Sequence, residues 1–90
     1  MTMGDKIRNK REDMDLSQRD MAKRIPMNQS NYSKIERGLQ EPSMEQLRSI
    51  CRILRLDPRY LLDLDDFESI SSEDMHLLSD IKKLIREHTK

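Results

Sequence analysis

Residues 28–38 read Asn-Gln-Ser-Asn-Tyr-Ser-Lys-Ile-Glu-Arg-Gly. At helical spacing Gln29, Ser30, Asn31, Ser33, Lys34 and Arg37 face away from Tyr32 and Ile35, so one side of this segment is wholly hydrogen-bonding. Glutamine can pair bidentately with adenine, and lysine can donate to guanine O6 or N7. Arginine, lysine and backbone amides hold phosphates, which sets register without reading sequence. No glycine-rich phosphate loop, nucleophile–base pairing or Cys/His metal framework accompanies them, so no enzyme, cofactor or metal is expected. A polar face on an ordinary helical bundle would use the same residue types, and spacing alone leaves both readings open.

The elements that would position these side chains are all helical. Only Gly4 and Gly38 are glycines and only Pro26, Pro42 and Pro58 are prolines, while β-branched and aromatic residues are sparse. Helix 1 is expected from about Met3 to Met14, with Ile7 and Met14 inward and a stop at Asp15, a residue that tolerates the left-handed conformation. Ser17 with Asp20 forms a capping-box pattern for helix 2, whose buried stripe is Met21, Ala22 and Ile25. Asn28 caps helix 3, with Tyr32 and Ile35 inward and Gly38 as the stop; Met27 and Tyr32 are spaced as a hydrophobic staple. Ser43 with Gln46 starts helix 4, where Met44, Leu47, Ile50, Cys51 and Leu54 recur at helical spacing. Asp57-Pro58 opens a short helix 5 that buries Tyr60, Leu61 and Leu64.

Helices 2 and 3, joined by Ile25-Pro26-Met27, make a tight bihelical unit able to hold its second helix outward on the scale of a DNA major groove. Leu16-Ser17-Gln18, Met21-Ala22, Asn28 to Gly38 and Glu41-Pro42-Ser43 resemble the lambda-repressor-like, Cro/Xre-type helix-turn-helix family, as do Leu47, Ile50, Leu54 and Tyr60-Leu61-Leu62. The resemblance covers roughly residues 3–65 and implies the family's five-helix DNA-binding domain, acting on double-stranded DNA. It implies that Gln29, Ser30 and Lys34 face base edges, with Asn31 and Ser33 serving bases or backbone. It further implies that Gln18, Arg37, the Gly38 amide and Gln40 contact the phosphate strand. Arg11 and Glu36 match a family pair that forms a buried ion pair between helices 1 and 3, which makes Glu36 structural. Tyr32 is inward, with a hydroxyl that could still touch phosphate. One departure stands out: Pro26 occupies a turn where the family commonly has glycine. Proline cannot take φ > 0, so the turn must follow another backbone path.

Beyond residue 65 the character changes. Asp63 to Glu68 reads as an acidic linker, and Ser71-Ser72-Glu73-Asp74 starts a sixth helix running to about His88. Its stripe of Leu77, Leu78, Ile81, Leu84 and Ile85 is amphipathic, and either folds back on its own domain or pairs with the same stripe of a second chain. Dimerisation is favoured, since the family mostly binds pseudo-palindromic sites as dimers. The expected organisation is thus a DNA-binding domain over 1–65 and a linker plus dimerisation helix over 66–90.

Composition agrees. Ninety residues with 38% charged and 34% hydrophobic make one small domain with an appendage, stabilised modestly by its own core. The net charge of zero hides an asymmetry: residues 1–60 carry 13 Lys/Arg against 9 Asp/Glu, and residues 61–90 carry 4 against 8. A basic DNA-facing part joined to an acidic part that faces away would account for it. Cys51 lies in the helix 4 stripe and reads as a small buried hydrophobe; His76 and His88 have no metal spacing. No apolar run approaches about 20 residues, so a cytoplasmic protein without a membrane span is expected. The leading function is a transcriptional repressor. The alternative is an antitoxin or adaptor whose protein partner docks on the sixth helix.

Overall fold

The computed structural model describes residues 1–64. The expected sixth helix, with Leu77, Leu78, Ile81, Leu84 and Ile85, lies outside the described residues. Those described are all-helical: α1 (Met3–Asp13), α2 (Gln18–Arg24), α3 (Gln29–Glu36), α4 (Met44–Leu54) and α5 (Pro58–Leu61), with no strand among them. None of these helices is long and apolar enough to cross a membrane.

Each helix starts where a side chain satisfies its free N–H groups. Ser17 accepts from the Asp20 amide while the Asp20 carboxylate accepts from the Ser17 amide, and Ser43 with Gln46 repeats the arrangement. Asn28 accepts from the Ser30 and Asn31 amides, and Asp57 from that of Arg59, with Pro58 at the first helical position. A third capping box, Thr2 with Asp5, opens α1. Three of the helices stop where the chain turns left-handed: Asp15 after α1 (φ 56°), Gly38 after α3 (φ 75°) and Arg55 at the end of α4 (φ 54°).

The core is one cluster built from Ile7, Met21, Ala22, Ile25, Tyr32, Ile35, Leu47, Ile50, Cys51, Leu54, Leu56 and Leu61. α2 packs most extensively on α3, and α1 lies against α3, α4 and α5. Two expectations fail here. Met14 is exposed (38%), because α1 ends at Asp13 and the next residues turn away. Tyr60 is 47% exposed: its ring lies over the Lys6 ammonium, 4.6 Å from its centroid, so one face is used and the other faces solvent. Leu64 is half-buried.

Pro26 is accommodated without a left-handed residue. Ile25 stays right-handed (φ −74°, ψ −17°), and no residue from Ile25 to Asn28 has positive φ. Proline has no N–H, and the Met27 amide instead closes the turn on the Ala22 carbonyl at 2.7 Å. The family's glycine is therefore not needed for this path.

Candidate nucleic-acid interface

The geometry grows outward from one buried carboxylate. Glu36, at the last turn of α3, is 4% exposed and accepts from Arg11 Nε at 2.6 Å and Arg11 Nη2 at 3.1 Å. It also accepts from Gln18 Nε2 at 3.1 Å and from the Tyr32 hydroxyl. Arg11 Nη1 spends its remaining reach on the Leu16 carbonyl at 2.8 Å. One carboxylate thus ties α1, the turn after α1, the start of α2 and α3 itself. Burial opposes the charge on Glu36, but the hydrogen bonds from Arg11, Tyr32 and Gln18 outweigh it and hold the carboxyl below its ordinary range. The hydrogen bond to Glu36 raises Arg11 in turn, and burial, then the Glu36 contact, raises Tyr32. The Tyr32 hydroxyl is committed to Glu36, so the expectation that it could reach a phosphate is replaced by a structural role.

Gly4 supplies the close approach that seats α1 on the end of α3. A Cβ at Gly4 would stand 2.2 Å from the Glu36 carbonyl oxygen and 2.9 Å from that of Ile35. Sequence reasoning missed this role, because nothing local marks a helical glycine that touches a backbone distant in the chain.

With Tyr32, Ile35 and Glu36 buried, the rest of α3 faces out. Gln29, Ser30, Asn31, Lys34 and Arg37 are exposed, and Ser33 is half-buried. Gly38 is exposed just past the helix and Gln40 is half-buried two residues on. The Leu39 amide returns to the Lys34 carbonyl at 2.9 Å, which fixes the loop carrying them. Gln18, the first residue of α2, is half-buried, with one amide hydrogen committed to Glu36 and a second left to donate elsewhere. Within the segment that carries these residues the exposed charge is one-signed, with Asp20 and Glu41 exposed just outside it. From Met21 to Gln40 the only carboxylate is Glu36, buried and paired, while Lys23, Arg24, Lys34 and Arg37 are exposed. Hydrogen-bonding side chains on an outward helix, accompanied by exposed lysines and arginines, can take a polyanion with patterned base edges. Among the described residues no group of His, Cys, Asp and Glu could hold a metal ion.

The chain matches the helix-turn-helix family over residues 7–61. It is 30% identical over 66 residues to the HTH-type transcriptional regulator DicA of Escherichia coli (strain K12), covering 73% of this chain and 49% of that protein. It is 34% identical over 85 residues to the uncharacterized HTH-type transcriptional regulator y4dL of Sinorhizobium fredii (strain NBRC 101917 / NGR234), covering 88% and 43%. The chain therefore spans about half the length of these curated relatives. Among solved structures, the SinR protein/SinI protein complex aligns with a TM-score of 0.63 and 30% identity, over 96% of this chain and 89% of that one.

Proposed function

The chain belongs to the helix-turn-helix family of DNA-binding regulators, and from that premise we propose that it is a sequence-specific repressor acting as a homodimer on a pseudo-palindromic operator. The observation that carries this reading is the outward face of α3, polar along its length, with Lys34 and Arg37 exposed on it. Gln29, Ser30 and Lys34 read base edges from it, with Asn31 and Ser33 beside them at the groove wall. Gln18 offers its second amide hydrogen to a phosphate, and Arg37 and Gln40 hold the phosphate strand beyond the helix, while the Gly38 amide expected to join them donates to the Ile35 carbonyl at 3.2 Å. The Arg11–Glu36 pair sets the angle of α3 and stays out of contact with DNA. Binding is the whole of the activity, with no catalysis, cofactor or metal, and it takes place in the cytoplasm.

Residues 1–65 form the DNA-binding domain. Leu77, Leu78, Ile81, Leu84 and Ile85 pair two copies, placing two recognition helices about 34 Å apart, one turn of DNA. Deleting residues 69–90 then weakens both self-association and operator binding. A second reading is favoured by the structural neighbour, which is an assembly of SinR protein with SinI protein: the C-terminal segment takes a different protein as partner.

The experiment is selection of bound duplexes from a random library, followed by binding of the winner across a salt series. A regulator recovers a palindrome and loses affinity steeply with salt, because each phosphate it neutralises releases counterions and steepens the log–log slope by about 0.9. A chain that works only as a protein adaptor recovers no consensus.

A further inference from the structure

Glu36 takes more hydrogen bonds than its ion pair requires. Its Oε2 accepts from Arg11 Nε at 2.6 Å and from the Tyr32 hydroxyl, and its Oε1 accepts from Arg11 Nη2 and Gln18 Nε2, both at 3.1 Å. Four bonds fill the acceptor capacity of a carboxylate. Arg11 already neutralises the charge. The bond from Gln18, at the start of another helix, therefore acts chiefly on Gln18 itself.

A glutamine side chain ends in one group that donates and one that only accepts, and its last torsion is broad and nearly two-fold. On an open surface the two ends exchange places freely. Against Glu36 they cannot. An ionised carboxylate has no proton to give, so turning the Gln18 amide over would set two oxygens where a donor and an acceptor now stand 3.1 Å apart. The bond lost would be a charge-assisted one, roughly twice as strong as a neutral bond. Glu36 is only 4% exposed, so burial keeps water from replacing the missing donor. The backbone beneath Gln18 is fixed as well, because Ser17 caps α2 and its own amide is held by Asp20 at 2.9 Å.

We propose that Glu36, buried and out of reach of DNA, is a positioning residue for DNA binding: its carboxylate holds the Gln18 amide nitrogen inward and thereby sets the hydrogen that Gln18 offers to a phosphate. The inference rests on the reading of Gln18 as a phosphate contact. A Gln18 amide free to turn would present its oxygen to the phosphate about half of the time, and that orientation repels where the N–H binds. The carboxylate that seats α3 against α1 thus also acts on the DNA, through α2. Charge alone predicts the opposite, since removing a carboxylate should strengthen binding to a polyanion.

Two measurements test this. In the unaltered, DNA-free chain, nitrogen-labelled and with the Gln18 side-chain amide assigned by its loss in Gln18→Ala, NMR should show one amide hydrogen shifted well downfield of free glutamine and protected from exchange with water. Two hydrogens that behave as in free glutamine overturn the proposal. Binding to a random-sequence duplex is then followed by fluorescence anisotropy for Gln18→Ala, Glu36→Gln and the pair together, each verified as folded by circular dichroism. Gln18→Ala should weaken binding about tenfold or more, as for a bond to a charged group. Glu36→Gln should weaken it by at least about twofold, the share lost when two orientations become equal, and by no more than Gln18→Ala does. In the Gln18→Ala background Glu36→Gln should cost nothing further, whereas a mere tilt of α3 would cost as much there as before. Should Glu36→Gln fail to fold, Arg11→Met/Glu36→Gln against Arg11→Met, each with and without Gln18→Ala, carries the same comparison. Unchanged or tighter binding by Glu36→Gln, or an equal loss in both backgrounds, overturns the proposal while Gln18 remains a phosphate contact. A Gln18→Ala variant that binds as the unaltered chain refutes that contact, and the proposal with it.

Discussion

Replacing Arg11 by methionine keeps most of the side chain's apolar stem and removes only the guanidinium. Glu36 then loses the bonds from Nε (2.6 Å) and Nη2 (3.1 Å), and the Leu16 carbonyl loses Nη1 (2.8 Å). The carboxylate, 4% exposed, keeps Gln18 Nε2 and the Tyr32 hydroxyl, two neutral donors that cannot cancel its charge. Stranding a buried charge in this way costs about 3–5 kcal/mol, against a total stability of roughly 5–15 kcal/mol for a small domain. R11M should therefore shift the urea midpoint, followed by circular dichroism at neutral pH, downward by at least about 1 M. The second substitution makes the reasoning specific. In R11M/E36Q the amide oxygen still accepts from Tyr32, the amide nitrogen replaces the oxygen that faced Gln18, whose own amide can turn to accept from it, and no charge remains to be stranded. The double variant should recover about 0.5–3 kcal/mol relative to R11M. An R11M loss below about 1 kcal/mol, as for an exposed pair, or a double variant less stable than R11M, would refute the view that a buried charge is what Arg11 serves.

Other consequences follow from the same contacts. Gly4→Ala should lower stability by about 1–3 kcal/mol, since the Glu36 carbonyl must move to admit the new methyl group, and a thermal melt will show it. The folded Glu36 pKa lies below its ordinary value of 4.5, so its contribution to stability is present above that pH and is lost as pH falls through the lowered folded value. Urea midpoints should accordingly drop as pH falls below about 4.5, and E36Q should flatten that part of the profile. Burial pushes the Cys51 thiol up to about 12, so a thiol reagent at neutral pH should label it only at the rate at which the domain opens. Arg37→Ala should weaken binding to all duplexes alike and reduce the salt slope by about 1, read from a fluorescence-anisotropy salt series.

What could be read from the sequence was what neighbouring residues settle between themselves. Ser17 with Asp20, Asn28, Ser43 with Gln46, and Asp57-Pro58 each contain both partners of their own cap, so helix starts were legible before any contact was known. Asp15 and Gly38 were legible as stops for the same reason: the backbone demand is met by the residue itself. Contacts between distant residues were not. Gly4 against the Glu36 carbonyl, and Lys6 against Tyr60 and Asp63, join chain segments tens of residues apart through atoms that leave no periodic trace. Tyr60 and Met14 were misplaced because helical spacing counts an apolar residue as inward even at a helix end, where the chain has begun to turn. Within the α3 face, Ser33 differs from its neighbours in being half-buried, a distinction that residue type does not carry.

The central claim is that Gln29 on α3 reads a base. It is tested by comparing Gln29→Ala with the unaltered chain on the selected operator, on operators changed at single positions, and on random duplex at one salt concentration. The account predicts a loss of about 1–3 kcal/mol on the operator with discrimination relaxed at one position and random-duplex affinity unchanged. Equal losses on operator and random DNA would contradict it.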